Sequence, residues 1–326
     1  MHPHWSDTGM VVVNTVLGPA GVTGNGLLVA LIVRSTPKTM KTYSVVLLVL
    51  TITGGFAGLG TFMTHARLSN VDNTTVLQLT GPSELFISDK EENANFCMFW
   101  YTLQVCTGIF MQVLLVISVL FRLGIFKFSF EKVEKAFFHV PCYFSGLAMF
   151  ACFITVFCLS LAPFDKVVET IGSLAPNLLK SNSVYYVLDC NEFPQNVVSS
   201  IWLILPWIVV PVVWVGRWSV RQQLDYYHYS DYLKRHHIAI ANALVVQSIP
   251  SIILMILNLT VDDSCSVCEN AMLFPVVLMS LFNPIATVLY ILPYKSCVFT
   301  RLKIKHSCHI TPTTSIMSRN QVNFRF

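Results

Sequence analysis

Seven stretches of this chain, each close to 20 residues or longer, hold no charged side chain: 10–33, 43–64, 96–121, 139–161, 197–215, 238–259 and 271–292. About 20 apolar residues in helical form cross the hydrocarbon of a bilayer. Inside lipid the backbone must satisfy its own hydrogen bonds, which leaves helices or closed barrels as the options. Runs of this length read as helices. Of the 326 residues, 54% are hydrophobic and 12% charged, against about 25% charged in soluble domains. The expected fold is an all-α membrane protein, a seven-transmembrane helix bundle in one domain.

The positive charges are sorted by loop. The segments after runs 1, 3, 5 and 7 carry 17 of the 21 Lys and Arg, and the other set carries only Arg67, Lys90, Lys166 and Lys180. Lys and Arg are enriched in cytoplasmic loops, so residues 1–9 are expected outside, the bundle over 10–292, and the tail 293–326 in the cytoplasm. The first nine residues hold no Lys or Arg and offer no signal-peptide n-region, so the first run is expected to remain as a span. The net charge of +4 lies on the cytoplasmic side. It suits an anionic leaflet or a cytosolic partner rather than nucleic acid.

The uncharged interior narrows function. Ion-coupled transporters and proton pumps place acids or bases inside their spans, and a retinal protein needs a deep Lys, whereas Lys295 falls after run 7. There is no Walker loop, His-Glu-x-x-His or Gly-x-Ser-x-Gly. No enzyme, cofactor or metal site is therefore expected. A receptor for a small neutral ligand fits best. The outer halves of the spans carry Tyr101, Gln104, Gln112, Trp202 and Asn258, which are expected to line the ligand site, although interhelical hydrogen bonding recruits the same residue types.

Cys97 and Cys190 face the oxidising side, where disulfides persist, and are expected to pair. Cys265 and Cys268 stand at Cys-x-x-Cys spacing without a second pair of ligands. They read as a short-range disulfide rather than zinc, and a pairing of Cys190 with one of them stays open. Cys106, Cys142, Cys152 and Cys158 lie within runs and read as packing residues. Asn73-Thr74-Thr75 is a glycosylation acceptor in the first outer loop.

On the inner side Arg122 is the first charge after run 3. It reads either as a snorkelling anchor or as a switch residue that contacts run 6 in the off state and a partner in the on state. Lys234 and Arg235 belong to the third inner loop, the expected partner surface. Pro250 removes a backbone hydrogen bond inside run 6, which gives either a static kink or a hinge. Asn283, before Pro284, is a polar residue in lipid expected to bond a neighbouring helix. Lys295 to His306 can lie along the inner leaflet as an amphipathic helix.

Several of these positions together resemble the nematode seven-transmembrane chemoreceptors, the serpentine receptors of the Str superfamily, with the delta class closest. The resemblance is carried by Gly24-Asn25-Gly26-Leu27-Leu28, Arg34-Ser35-Thr36-Pro37-Lys38, Phe96-Cys97, Phe121-Arg122, Val246-Gln247-Ser248-Ile249-Pro250, Phe282-Asn283-Pro284-Ile285 and Pro293-Tyr294-Lys295. It implies a G-protein-coupled receptor for an odorant or pheromone, with a heterotrimeric G protein as partner. It also implies a place in the plasma membrane, in the cilia of chemosensory neurons. By the same resemblance Cys97 begins helix 3 and Arg122 ends it. The chain departs from the rhodopsin-like pattern: Phe121 stands where an acid usually precedes the arginine, Tyr290 follows Asn283-Pro284 at longer spacing, and run 2 lacks an acidic sodium-site residue. Two other readings are a seven-span transporter or channel, which predicts strongly polar residues near the midplane, and an escort subunit for another receptor.

Overall fold

The computed structural model describes residues 5–36, 41–71, 74–79, 81–82, 87, 89–127, 140–160, 172, 184–188, 195–226, 231–260 and 274–301. The helices are α1 (Trp5–Ser35), α2 (Lys41–Thr64), α3 (Lys90–Lys127), α4 (Val140–Ser160), α5 (Gln195–Tyr226), α6 (Asp231–Gln247), α7 (Ile249–Thr260), α8 (Phe274–Tyr290) and α9 (Leu292–Arg301). By length and composition α1, α2, α3, α5 and the pair α6–α7 are each able to cross a membrane, and α8 and α9 form a pair bent by 87°. The shorter apolar helix α4 completes seven spans. The chain is an all-α membrane bundle.

The helices extend beyond the apolar runs. α5 passes Val215 and continues to Tyr226 through Arg217 and Arg221. Charge ends a hydrophobic run, but it does not end a helix whose next turns can stand in water. α3 begins at Lys90 because Asp89 caps it: its Oδ1 accepts from the backbone N–H groups of Glu91 at 2.8 Å and Glu92 at 3.0 Å. An N-terminal carboxylate satisfies donors that have no helical partner. α2 ends at His65, whose φ of 38° is left-handed and whose N–H reaches back to Thr61 O at 3.1 Å, a helix-terminating turn of the kind that glycine adopts most cheaply.

The polarity of the bundle is inverted. Asn25, Thr51, Gln112, Ser248, Asn283 and Thr287 are buried, while Phe144, Leu147, Ile204, Trp207, Trp214 and Trp218 are exposed. In lipid, apolar side chains lose nothing by facing outward, so helices associate through packing and polar contacts. α3 is the central post, packing against α2, α4, α5, α6 and α8. α4 is held to it by Phe99, which meets Phe153 and Phe157 edge-on at 5.4 and 5.6 Å. α1 and α2 approach closely: a Cβ on Gly18 would stand 3.0 Å from Phe62 Cβ and 3.1 Å from Gly58 O.

Two outer loops of the sequence reading contribute strands. β1 (Arg67–Val71), β2 (Thr74–Leu79) and β3 (Val184–Leu188) form an antiparallel sheet in that order. Leu77 and Leu79 share one face of β2 and pack on Ala94, Cys97 and Met98 of α3. The sheet therefore sits on the Cys97 end of the bundle.

Candidate functional site

The polar interior is concentrated in one hydrogen-bonded chain across four spans. Asn25 Nδ2 on α1 donates to Gly21 O at 2.8 Å and to Ser280 O on α8 at 2.7 Å. Its Oδ1 accepts from Asn283 Nδ2 at 3.1 Å, and the same Asn283 amide lies 3.5 Å from Thr51 Oγ1 on α2. Gln247 Nε2, at the last residue of α6, donates to Asn283 Oδ1 at 2.9 Å and to Thr287 Oγ1 at 3.2 Å. Asn283 thus contacts α1, α2 and α6 from α8. Among these residues the sequence reading singled out Asn283. Asn25 and Gln247 were visible only inside the motifs of the resemblance.

The chain ends where the sixth span breaks. Pro250 is buried near the start of α7, and Ser248, between α6 and α7, is outside both helices. Proline cannot donate to the carbonyl four residues back, here that of Val246, and Ser248 joins the two helices: its N–H bonds Leu244 O at 3.0 Å and Val245 O at 3.1 Å, its Oγ donates to Val245 O at 2.8 Å, and its carbonyl accepts from Ile252 N–H at 3.1 Å. The break is therefore bridged by hydrogen bonds on both sides. Pro284, beside Asn283, faces Gly24 of α1, where a Cβ would stand 3.2 Å from its Cγ.

Arg122 lies toward the other end of α3 from Cys97, and it is only 6% exposed. Its Cζ stands 4.1 Å from the centre of the Tyr43 ring on α2, a cation–π contact. Its Nη1 lies 3.2 Å from His237 Nδ1 on α6. A guanidinium only donates, so Nδ1 accepts and the ring proton sits on Nε2. Arg122 Nε is buried without a hydrogen-bond partner. Around it Leu28, Tyr43, Phe121, Ile240, Ile291 and Tyr294 form a continuous apolar cluster from α1, α2, α3, α6, the junction between α8 and α9, and α9. Tyr294, fully buried, meets Thr36 Oγ1 through its hydroxyl at 2.8 Å. The tyrosine that closes this end is Tyr294, whereas Tyr290 is partly exposed. Phe121 fills the position where an acid was missed, and its partner role for the arginine falls to Tyr43 and His237.

The other expected residues scatter. Lys234 Nζ lies 3.4 Å from Asp225 Oδ1, joining α6 to the end of α5, and Arg235 is exposed. Gln104 faces α2, where its Oε1 accepts from Thr64 Oγ1 at 3.2 Å. Trp202 is buried against Gly108, whose added Cβ would stand 3.0 Å from the indole and 3.4 Å from Val276 of α8. Asn258 donates to Leu203 O at 3.3 Å, tying α7 to α5. Tyr101 packs beneath the sheet. Gln112 is fully buried with both amide atoms unpartnered. The five residues expected around a ligand are therefore divided between the α2–α3 seam, the α3–α5–α8 core and the α5–α7 seam.

Cys97 is buried in the N-terminal part of α3, with Sγ 3.6 Å from Asn93 Oδ1. Its expected partner Cys190, the pair Cys265 and Cys268, and the acceptor Asn73 all lie outside the described residues.

Residues 10–300 match the family described as "Serpentine type 7TM GPCR chemoreceptor Srd". The match is to the delta class itself rather than to the wider Str grouping. No curated protein matches the chain.

Proposed function

The chain belongs to the Srd family of serpentine seven-transmembrane G-protein-coupled chemoreceptors, and from that premise we propose that it binds a small neutral odorant or pheromone and signals by opening the Arg122 end of the bundle to a heterotrimeric G protein. The observation that carries the reading is the placement of Arg122, buried between Tyr43 of α2 and His237 of α6. This is a closed arrangement: the arginine is unavailable to a partner until α6 moves. The break at Ser248 and Pro250 supplies the point about which the inner part of the sixth span can swing. A narrow cleft lined by Arg122, Val213, Gly216, Val220, His237 and Leu244 marks the seam that would widen.

Charge supports the orientation. The Arg122 end carries the loops that hold 17 of 21 Lys and Arg, the pattern of a cytoplasmic face. Lys234 and Arg235 at the start of α6 then present cations to the G protein. On the outer side, Cys97 pairs with Cys190, which ties the second outer loop to α3; the packing of β3 against α3 supports it. Asn73 carries a glycan on the first outer loop, and Cys265 pairs with Cys268 in the third. The ligand site lies between α3, α5, α7 and α8, where unpartnered Gln112 and the Trp202 ring offer one polar and one aromatic contact. The receptor resides in the plasma membrane of sensory cilia and works by conformational change rather than catalysis. Ligand and G protein strengthen each other's binding, since both favour the open state.

The test is a panel of small neutral volatile and weakly polar compounds applied to cells expressing the chain, read by calcium or cyclic nucleotide. A dose-dependent response that Arg122→Ala abolishes without loss of surface display supports the reading. A response unchanged in Arg122→Ala contradicts the switch.

A further inference from the structure

On the lipid-facing side of the bundle, away from the ligand and switch residues, α1 and α8 part to leave a groove of about 770 Å³. Its origin lies in the sequence. Ala20, Gly24 and Ala30 on α1 present almost no side chain, and Gly24 lets α1 touch Pro284. Leu27, Leu31, Ile285 and Leu289 form the walls. The 87° turn into α9 closes one end with Cys297 and Val298. That end is fixed by contacts between α1 and α9, including Ser35 Oγ to Cys297 Sγ at 3.3 Å. Arg34 lines the groove at the same end. It is exposed and makes no hydrogen bond or ion pair among the described residues.

We propose that this groove is a binding site for one anionic diacyl phospholipid, whose acyl chain lies between α1 and α8 and whose headgroup phosphate is held by Arg34. The charge and the shape both point to that occupant. The walls are hydrocarbon along the length that would sit in the membrane, and a single guanidinium stands at the end where headgroups begin. A neutral sterol would leave the guanidinium unmatched, whereas a phosphate oxygen pairs with it in forked geometry. A basic residue at this depth favours anionic over zwitterionic lipid. Since α8 carries Asn283 and Pro284, a lipid seated on Pro284 braces the helix that holds the polar chain together. Assigning the site to the cytoplasmic leaflet rests on the proposed orientation; the binding itself does not.

The full-length chain purified in mild detergent is offered phosphatidylserine and phosphatidylcholine in equal amounts, and bound lipid is counted by native mass spectrometry. The wild type is expected to retain phosphatidylserine by about five-fold over phosphatidylcholine, the preference one exposed basic residue supplies. Arg34→Gln should lose that preference, and Ala30→Trp, which fills the groove, should lower retention of both lipids. Lys295→Gln removes an exposed cation that does not line the groove and should leave the preference intact. Thermal melting of each variant in parallel confirms that it is folded. An undiminished preference in Arg34→Gln, an equal loss in Lys295→Gln, or displacement of phosphatidylserine by cholesterol overturns the site. None of these readouts involves ligand or G protein, so the site and the signalling account fail separately.

Discussion

Arg122 spends its hydrogen-bonding capacity unevenly. One terminal nitrogen reaches His237, the planar group lies on Tyr43, and Nε is buried with no partner. An unmet donor in a buried site costs about 1–3 kcal/mol, so the closed state holds a guanidinium that a partner with a carbonyl or carboxylate can satisfy better. His237→Lys places a second cation beside the first, where a lone pair now accepts, and should release α6. The expected outcome is raised ligand-independent signalling, measured as basal cyclic nucleotide at matched surface expression. Phe in place of Tyr43 keeps the ring face and should change basal signalling little, whereas Tyr43→Ala should raise it. At the same scale, Asn283→Leu leaves Asn25 Oδ1 and one Gln247 hydrogen without partners. The loss should be about 1–2 kcal/mol of stability, read as a lower midpoint of thermal unfolding in detergent.

At the scale of elements, the sixth span is two helices joined at one residue. Pro250 leaves Val246 O without its helical donor four residues on. Pro250→Ala restores that donor and should reduce maximal ligand-evoked signalling several-fold while raising thermal stability. A variant with unchanged maximal signalling would make the break a static kink. Small residues set the close approach of α1 and α2. Gly18→Leu must push Phe62 and the Gly58 backbone apart, at about 1–3 kcal/mol for an overpacked interface, seen as lower yield of folded receptor and a lower unfolding midpoint.

For the molecule as a whole, the seven spans are legible in the sequence because charge is excluded over lengths that only membrane crossing demands. The ends of the helices are less so. The carboxylate of Asp89 extends α3 beyond its apolar run at one end, and α5 continues past Val215 into polar turns, because hydrogen bonding in a helix persists after hydropathy falls. The sheet escaped because β1, β2 and β3 are five or six residues long, and β2 pairs with β3 across more than a hundred residues of chain. Arg122 and Asn283 stood out as polar groups in unusual places. Their partners Tyr43, His237, Thr51 and Gln247 come from other helices, and no periodicity along the chain announces which residue meets which. The ligand residues were the least legible, since Gln104 and Asn258 serve seams between helices just as a ligand contact would require a polar side chain. The proposed orientation rests on the sorting of Lys and Arg. An epitope at the N-terminus should label unpermeabilised cells and one at the C-terminus should not; the reverse labelling would place Arg122 on the outside and remove the G-protein reading.

In the proposed switch the Arg122–His237 contact holds the receptor closed. Its most direct measurement is nucleotide exchange on a heterotrimeric G protein by the purified chain in lipid nanodiscs. His237→Lys is predicted to exchange several-fold faster than wild type without ligand, and Arg122→Ala in the same background to return exchange to the level of the G protein alone. Exchange that is equal in wild type and His237→Lys, with both proteins folded, would contradict the account.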